Sequence, residues 1–441
     1  MSLVNPSILP GFMELLPEEQ KVFNRIKNTI ENNFIKYGFI NIDTPLIEKE
    51  EILLSKGGGE TSKQIYRIDK EKTPQALRFD LTVSLARYVS MHFNELVFPF
   101  KRYQIGKVYR GERNQKGRYR EFYQCDIDIV GNNSLSIYND AQMPLVIYKI
   151  FEDLGFKDIT FKTNNRKLLN GFLQSINVED SEGVLRTIDK LAKIGKEKTF
   201  IELEKLDINK YSIEKIFDFI EEEKNNEETL SKLDSLNIDN ELFVEGLGEL
   251  KEVYKFMKLF GIPEKNIKLD LTITRGLDYY TGTVFETFLD EYENIGSVCS
   301  GGRYDDLANN FTNNKYPGVG LSIGLTRLFY QFNEAGLLDE EKEIDDTIVV
   351  IPMNDDVLDY SIEVVNKLRE NNIKSDIYLE SGKMKKKFTY ADRKNVNFGI
   401  IIGETEKESN QIAVRDFITG NQELVDFDNM IVYLSEVNNE N

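Results

Sequence analysis

The strongest constraint on the fold is a pair of alternating stretches. "FKRYQIGKVYRG" (residues 100–111) and "EFYQCDIDIVG" (residues 121–131) set apolar and polar residues in turn, and "ERNQKGRYR" joins them. Period-two alternation on both sides of a short polar connection predicts an antiparallel hairpin, with one side chain in two on each face. The hairpin's end and loop carry Arg110, Arg113, Lys116, Arg118 and Arg120. Guanidinium groups stay charged and donate in a fork, so this cluster predicts a site that encloses a phosphate-rich ligand.

The rest of the chain opposes that charge. Among 441 residues, 75 Asp and Glu against 56 Lys and Arg leave a formal charge of -19. A broad nucleic-acid face is thereby disfavoured, while a local basic patch is not. A second patch is "KMKKKFTYADRK", with Lys383, Lys385, Lys386, Lys387, Arg393 and Lys394. Taken alone it reads as a solvated face. There is no basic start followed by an apolar run of signal length, and no stretch long enough to span a bilayer, so a cytoplasmic protein is expected. Cys125 and Cys299 lack the paired spacing of a metal site and are expected to pack in the core.

Coarse periodicity divides the chain. Val22, Phe23, Ile26, Ile30 and Phe34 recur at helical spacing before Gly38, and "FINIDTPLIE" follows as an extended segment that Pro45 interrupts. "LTVSLARYVS" is expected to be a helix amid strands between residues 76 and 131. Residues 164–266 are charged helix formers with spaced Leu, Ile and Phe, which predicts a helical insertion. Strand character returns in "IKLDLTITRGLDYYTGTVFETFL" and "SVCSGGRYDDL", and the glycines of "GVGLSIGLTRLFYQF" are expected to open an amphipathic helix. After the acidic "LLDEEKEIDD" a separate β/α pattern begins with "TIVVIPM", long enough for a small α/β domain.

Other features carry less. "GVGLSIG" lacks the spacing of a dinucleotide fingerprint, and "KGGGE" lacks the Lys-Ser/Thr end of a P-loop and reads as a turn. The sole histidine, His92, has no nucleophile motif beside it. What remains is a set of arginines, Arg110, Arg113, Arg118, Arg275, Arg303 and Arg327, each beside Gly, Glu, Asp or Tyr.

These residues carry a resemblance. "YRGERNQKGRYREFYQ" resembles the second signature of class II aminoacyl-tRNA synthetases, "GVGLSIGLTRLF" the third, and residues 16–45 the first, dimer-forming one. "LTITRGLDYYTGTVFE" and "GGRYDDL" are similar to the two motifs particular to histidyl-tRNA synthetases. The resemblance covers nearly the whole chain and implies an α+β fold, with an antiparallel class II sheet core, a helical insertion and a C-terminal α/β anticodon-binding domain. The boundaries it implies are residues 1–163 and 267–334 for the core, 164–266 for the insertion and 346–441 for the anticodon-binding domain.

The family's functional residues carry over position by position. Arg110 and Arg275 are implied as catalytic: Arg110 would hold the ATP α-phosphate near the histidine carboxylate, and Arg275 would stabilise charge developing during adenylate formation. Arg327 would bind the far phosphates, Arg118 would add charge there, Glu112 would take the adenine amino group and Phe122 would stack on the ring. Asp80, Thr82 and Gln124 match the group receiving the substrate ammonium. Asp128 and Tyr279 match the pair on the imidazole, while Tyr280 and Gly301 shape the wall. With Leu81, Arg110 and Arg275 this completes the histidine-binding set. Gln115 would lie near the tRNA acceptor end, and Lys385, Lys386 and Lys387 would form a tRNA-facing basic surface. The implied partners are ATP with Mg2+, L-histidine, tRNA(His) and a second copy of the chain; the sequence does not show which carboxylates touch the Mg2+.

Two departures stand out. Asp80 and Leu81 occupy positions where many bacterial members have Glu and Gly, so "LRFDLTV" looks more like the eukaryotic and archaeal branch. Asn114 replaces a frequent proline. Two other readings remain open on sequence alone: a regulatory subunit of an ATP phosphoribosyltransferase, which usually lacks the tail and the arginine at 275, and a nucleic-acid-binding module without activation chemistry.

Overall fold

The computed structural model describes residues 3–55, 59–70, 72–112, 116–274, 280–338 and 346–439. Contacts divide the chain into two compact units, Met1–Asp339 and Glu340–Asn441.

The first unit is built on an eight-stranded sheet. Its strands are β1 (Ile40–Asn41), β2 (Phe100–Tyr109), β3 (Glu121–Val130), β4 (Ile159–Asn165), β5 (Ile267–Leu269), β6 (Thr283–Leu289), β7 (Cys299–Tyr304) and β8 (Gly318–Gly324), in the order β1-β2-β3-β8-β7-β6-β4-β5. Pairing is antiparallel from β2 across to β4, and parallel only at the two short edge strands. The hairpin forms as its alternation requires, with Phe100 opposite Val130 and Tyr109 opposite Glu121.

One face of the sheet is apolar. Cys125, Ile127 and Ile129 of β3 and Val319, Leu321 and Ile323 of β8 join a large core shared with α1 (Pro17–Lys36), α3 (Tyr138–Asp153), α4 (Glu241–Leu259), α5 (Leu325–Glu334) and the shorter helices between Arg166 and Ser235, while α2 (Thr82–Met91) lies elsewhere. Helix α1 shows why the local sequence suffices: Phe23, Ile26, Ile30 and Phe34 bury one stripe. Pro17 opens it, Glu19 accepts the Leu16 N–H at 2.8 Å, and the chain leaves it through Gly38 at φ +80°. Both cysteines are buried. Between Arg166 and Leu259 every element is helical.

One expectation holds only in part. Of the glycines of "GVGLSIG", Gly324 alone opens the helix, as the N-cap of α5, which starts at Leu325, whereas Gly318 and Gly320 lie inside β8. Their role is close approach. A Cβ at Gly318 would lie 2.4 Å from the Tyr304 ring, and one at Gly320 would lie 2.1 Å from Asp128 Oδ1.

The second unit has a five-stranded sheet, β9 (Ile348–Pro352), β10 (Ser375–Ile377), β11 (Phe398–Ile402), β12 (Gln411–Asp416) and β13 (Gln422–Asp426), in the order β10-β9-β11-β12-β13. Ile348 and Val350 face α6 (Leu358–Glu370), and Val349 and Ile351 face α7 (Met384–Arg393), so the sheet is covered on both sides.

Candidate active site

The second face of the large sheet is polar, and alternation puts its side chains there in rows. Across β2, β3, β8, β7, β6 and β4 one row runs Gln104, Asp126, Ser322, Ser300, Glu286, Lys162. Two residues along β3, Asp128 pairs in register with Arg102 on one side and Gly320 on the other. Above these rows lies a cavity of about 450 Å³.

Cations line one part of it. Arg110, at the end of β2, donates Nε–H to the Phe79 carbonyl at 2.9 Å and lies 5.1 Å over the Phe122 ring. The ring thus fixes the guanidinium plane while leaving its outer nitrogens to a ligand. Arg118 and Glu112 line the cavity from the hairpin and pair with each other at 3.5 Å, and Arg327 lines it from the first turn of α5. Tyr280 and Gly301 also form part of the wall.

Buried acceptors line another part. Asp80, Thr82, Gln124 and Asp126 reach the cavity. Asp80 accepts the Val83 N–H at 3.1 Å in the first turn of α2, but its other oxygen, Oδ2, has no partner among the described residues. Burial is the main reason the Asp80 carboxyl is pushed up to about 6; the Val83 N–H and Arg110 pull against it, and the neighbouring Asp126 charge adds to it. The Asp126 carboxyl is likewise raised, by burial first, against Arg102, Ser322 and Arg110.

Asp128 sits deeper, outside the cavity lining. Its Oδ2 lies 2.6 Å from Arg102 Nη2, and its Oδ1 accepts the Tyr304 hydroxyl at 2.8 Å. Burial still outweighs the Arg102 attraction and, with the Asp126 and Asp80 charges nearby, holds the Asp128 carboxyl at about 7. Leu81 is buried at the start of α2 and also lies outside the lining. Arg113, Gln115, Arg275 and Tyr279 fall outside the described residues.

Several basic residues go elsewhere. Arg120 donates Nε–H to the Glu112 carbonyl and its N–H to the Gly11 carbonyl, tying the N-terminal lead to the hairpin rather than facing the cavity. Exposed Lys116 lies 4.0 Å from Glu334. Arg303, grouped with phosphate-binding arginines on sequence, is buried and grips Asp140, with Nε 3.0 Å from Oδ2 and Nη2 2.7 Å from Oδ1. It is a structural ion pair. In the second unit, Lys385 and Lys386 are exposed on α7, whereas Lys387 is buried and donates to the Pro352 carbonyl at 2.7 Å. An exposed basic surface therefore excludes Lys387.

Sequence reading missed Asp126, Arg102, Ser322 and Tyr304. For the first two the signal was present, because Gln124, Asp126 and Asp128 share one face of β3, and Arg102 and Gln104 share the facing side of β2. Ser322 and Tyr304 lie inside the quoted "GVGLSIGLTRLF" and "GGRYDDL" but are brought to Asp126 and Asp128 only by contacts nearly two hundred residues away in the chain, which no local pattern discloses.

Known proteins match nearly the whole chain. The family described as Histidyl-tRNA synthetase matches residues 11–328, and the family described as Anticodon binding domain matches residues 347–437. A histidine–tRNA ligase of Clostridium tetani is 57% identical over 430 residues, covering 97% of this chain and 98% of its own length. One of Finegoldia magna is 54% identical, covering 97% and 99%. Among solved structures, a histidyl-tRNA synthetase from Nostoc superposes with a TM-score of 0.86 at 38% identity, covering 98% of this chain and 100% of that one.

Proposed function

Because the chain belongs to the histidyl-tRNA synthetase family and so activates L-histidine with ATP and transfers it to tRNA(His), we propose that the cavity described above holds both reactions. The observation that carries this placement is the presence of both polarities in one cavity: Arg110, Arg118 and Arg327 against Asp80, Gln124 and Asp126. A triphosphate calls for the first set, and the ammonium of an amino acid for the second.

ATP is placed with its adenine on Phe122 and its amino group toward Glu112. Its α-phosphate lies at Arg110 and its far phosphates at Arg118 and Arg327. Histidine is placed with its ammonium at Asp80, Thr82 and Gln124 and its imidazole toward Asp128 and Tyr279. Tyr280 closes the side, and Leu81 acts from beneath by fixing Asp80 and Thr82 on either side of it. An ionised carboxylate has about four acceptor positions, so Asp128 can take an imidazole N–H while Arg102 and Tyr304 hold it. Sites that satisfy both ring nitrogens discriminate strongly against side chains lacking them.

The histidine carboxylate oxygen attacks the α-phosphorus, and the bond to the pyrophosphate oxygen breaks. Arg110, joined by Arg275, stabilises negative charge on the α-phosphoryl oxygens as it develops. In the second step the 3′-hydroxyl of the tRNA attacks the histidyl carbonyl and AMP leaves, with Gln115 beside the acceptor end. No group of three or more potential metal ligands occurs among the described residues. A Mg2+ ion carried on the ATP phosphates would neutralise charge there.

We further infer a homodimer through the segment around β1, where Ile40, Leu46 and Ile47 are exposed apolar side chains. No described helix is long and apolar enough to cross a membrane. The test is ATP–pyrophosphate exchange with the purified chain and each amino acid in turn. Exchange with histidine alone in wild type, lost in both Asp80→Asn and Arg110→Ala proteins that remain folded, is the expected result. Undiminished exchange in those two variants would move the reaction out of this cavity.

A further inference from the structure

We propose that Asp126 is an additional acceptor for the substrate's α-ammonium group, beside Asp80 and Gln124, and that it sets the enzyme's preference for an amino acid over an imidazole acid lacking the amine. This rests on the placement of histidine proposed above and adds a residue to it.

Three acceptor atoms in the cavity are buried and have no partner among the described residues: Asp80 Oδ2, Gln124 Oε1 and Asp126 Oδ1. A buried acceptor without a donor is costly, so a cluster of them marks where the donors of a ligand go. A primary ammonium brings three N–H donors, one for each of these oxygens, which leaves the Thr82 hydroxyl beside the group rather than as a fourth acceptor. Gln124 and Asp126 are two apart on β3 and therefore share its cavity face. Asp80 and Asp126 are near enough for each charge to raise the other's cost of ionising, which an ammonium between them would relieve.

Ser322 supplies the orientation. It pairs in register with Asp126 across β3 and β8. Its Oγ accepts an N–H from Gln124 Nε2 at 2.9 Å, and its hydroxyl bonds the Asp126 carboxylate. One hydroxyl thus commits the amide nitrogen of Gln124 and one oxygen of Asp126, leaving an oxygen of each for the cavity. A purely structural carboxylate looks different. Asp140, equally buried, has both oxygens bonded to Arg303, whereas Asp126 keeps one free.

The experiment compares L-histidine with imidazolepropionate, which keeps the ring and the carboxylate and lacks the amine, by calorimetric binding to wild type, Asp126→Asn and Asp80→Asn. Histidine-dependent pyrophosphate exchange is measured alongside. A hydrogen bond to a charged group corresponds to roughly 10- to 100-fold in affinity. Asp126→Asn is therefore expected to weaken histidine by about that factor and raise its KM, while the KM for ATP and the affinity for imidazolepropionate hold. The preference ratio collapses. Equal weakening of both ligands in Asp126→Asn, with the ratio collapsing in Asp80→Asn, would overturn the role of Asp126 and leave the placement of histidine standing. An unchanged ratio in both variants would overturn the placement itself. Should Asp126→Asn fold poorly, Ser322→Ala provides the second route: freeing Gln124 and Asp126 to turn away should lower the same ratio, and an unchanged ratio counts against the proposal.

Discussion

The chain has two basic clusters, one at a hairpin and one on a helix, and they have opposite fates. In the first, Arg110 and Arg118 line one open cavity while Arg120 binds backbone carbonyls of its own unit. In the second, Lys385 and Lys386 stay in solvent and Lys387 is buried under the same helix. Element geometry makes the difference. A strand sends alternate side chains to one face, so Arg110 follows Arg102, Gln104 and Gly106 toward the cavity. A helix turns about 100° per residue, so three consecutive lysines cannot share a face. Charge counts alone cannot separate the two clusters; the period of the element beneath them can.

The largest test of this contrast is Arg110→Ala. Its guanidinium is held by Phe79 and Phe122 where the α-phosphate is placed. Removing a preorganised donor of this kind costs about 10³ in rate, so pyrophosphate exchange should fall by that order with the fold intact. Arg110→Lys should recover little, because an ammonium does not reproduce the stacked fork. A loss below tenfold would mean that the hairpin's cavity-lining arginine matters no more than an exposed one.

Next in size is an effect of interior charge that a solvated face does not produce. Asp80 at about 6 and Asp128 at about 7 lie above the ordinary 3.8. Between about pH 4 and pH 7 these two carboxyls hold more protons in the folded protein than in the unfolded chain, so their contribution to stability falls as pH rises through that window. A carboxyl moved from 3.8 to about 6 weakens the folded state by roughly 2.5 kcal/mol at pH 8 relative to pH 4. Ligand-free protein should accordingly lose stability in denaturant titrations from pH 5 to pH 7.5, and Asp80→Asn should flatten that slope. An identical slope in the variant would show Asp80 titrating like a surface carboxylate.

These cases also show what a sequence can disclose. The hairpin, α1 and the strand-and-helix pattern of the second unit followed from local periodicity, because the residues that decide them are neighbours in the chain. The family resemblance, rather than periodicity, pointed to a part of the cavity wall, with Arg110, Gln124 and Arg327 among it. Periodicity pursued further would have added Asp126 and Arg102. It would not have shown Arg303 gripping Asp140, or glycines 318 and 320 belonging to a strand, since those depend on Tyr304, Asp128 and Asp140 arriving from distant segments. Glycine is a usual sign of a break, and here close side-chain approach overrides it.

A smaller effect is expected at the exposed lysines. If Lys385 and Lys386 meet tRNA phosphates, a Lys385→Ala, Lys386→Ala variant should bind tRNA a few-fold more weakly. The slope of log affinity against log salt should become shallower by about one to two. Pyrophosphate exchange should not change. An unchanged slope would make these lysines a solvated face, leaving the hairpin as the only cluster of the two with a ligand.

The smallest expected effect on tRNA, and the sharpest test of the division within the second cluster, is at Lys387. It lies one turn before Ala391, which is also buried, and beside Met384 and Phe388, which pack under the same helix. Its ammonium donates to Pro352 at the end of β9. Lys387→Met keeps most of the stem and removes the donor, so the loss should be one charge-assisted hydrogen bond, about 1–2 kcal/mol in the stability of the second unit. Affinity for tRNA and its salt slope should match wild type wherever the variant is folded, because a buried ammonium releases no counterion from a phosphate. A slope change as large as that from Lys385 and Lys386 together would mean that Lys387 leaves its carbonyl to meet RNA. The helical period would then no longer separate structural from binding cations. Retained slope with reduced stability would place the boundary between the two roles inside a single run of three lysines.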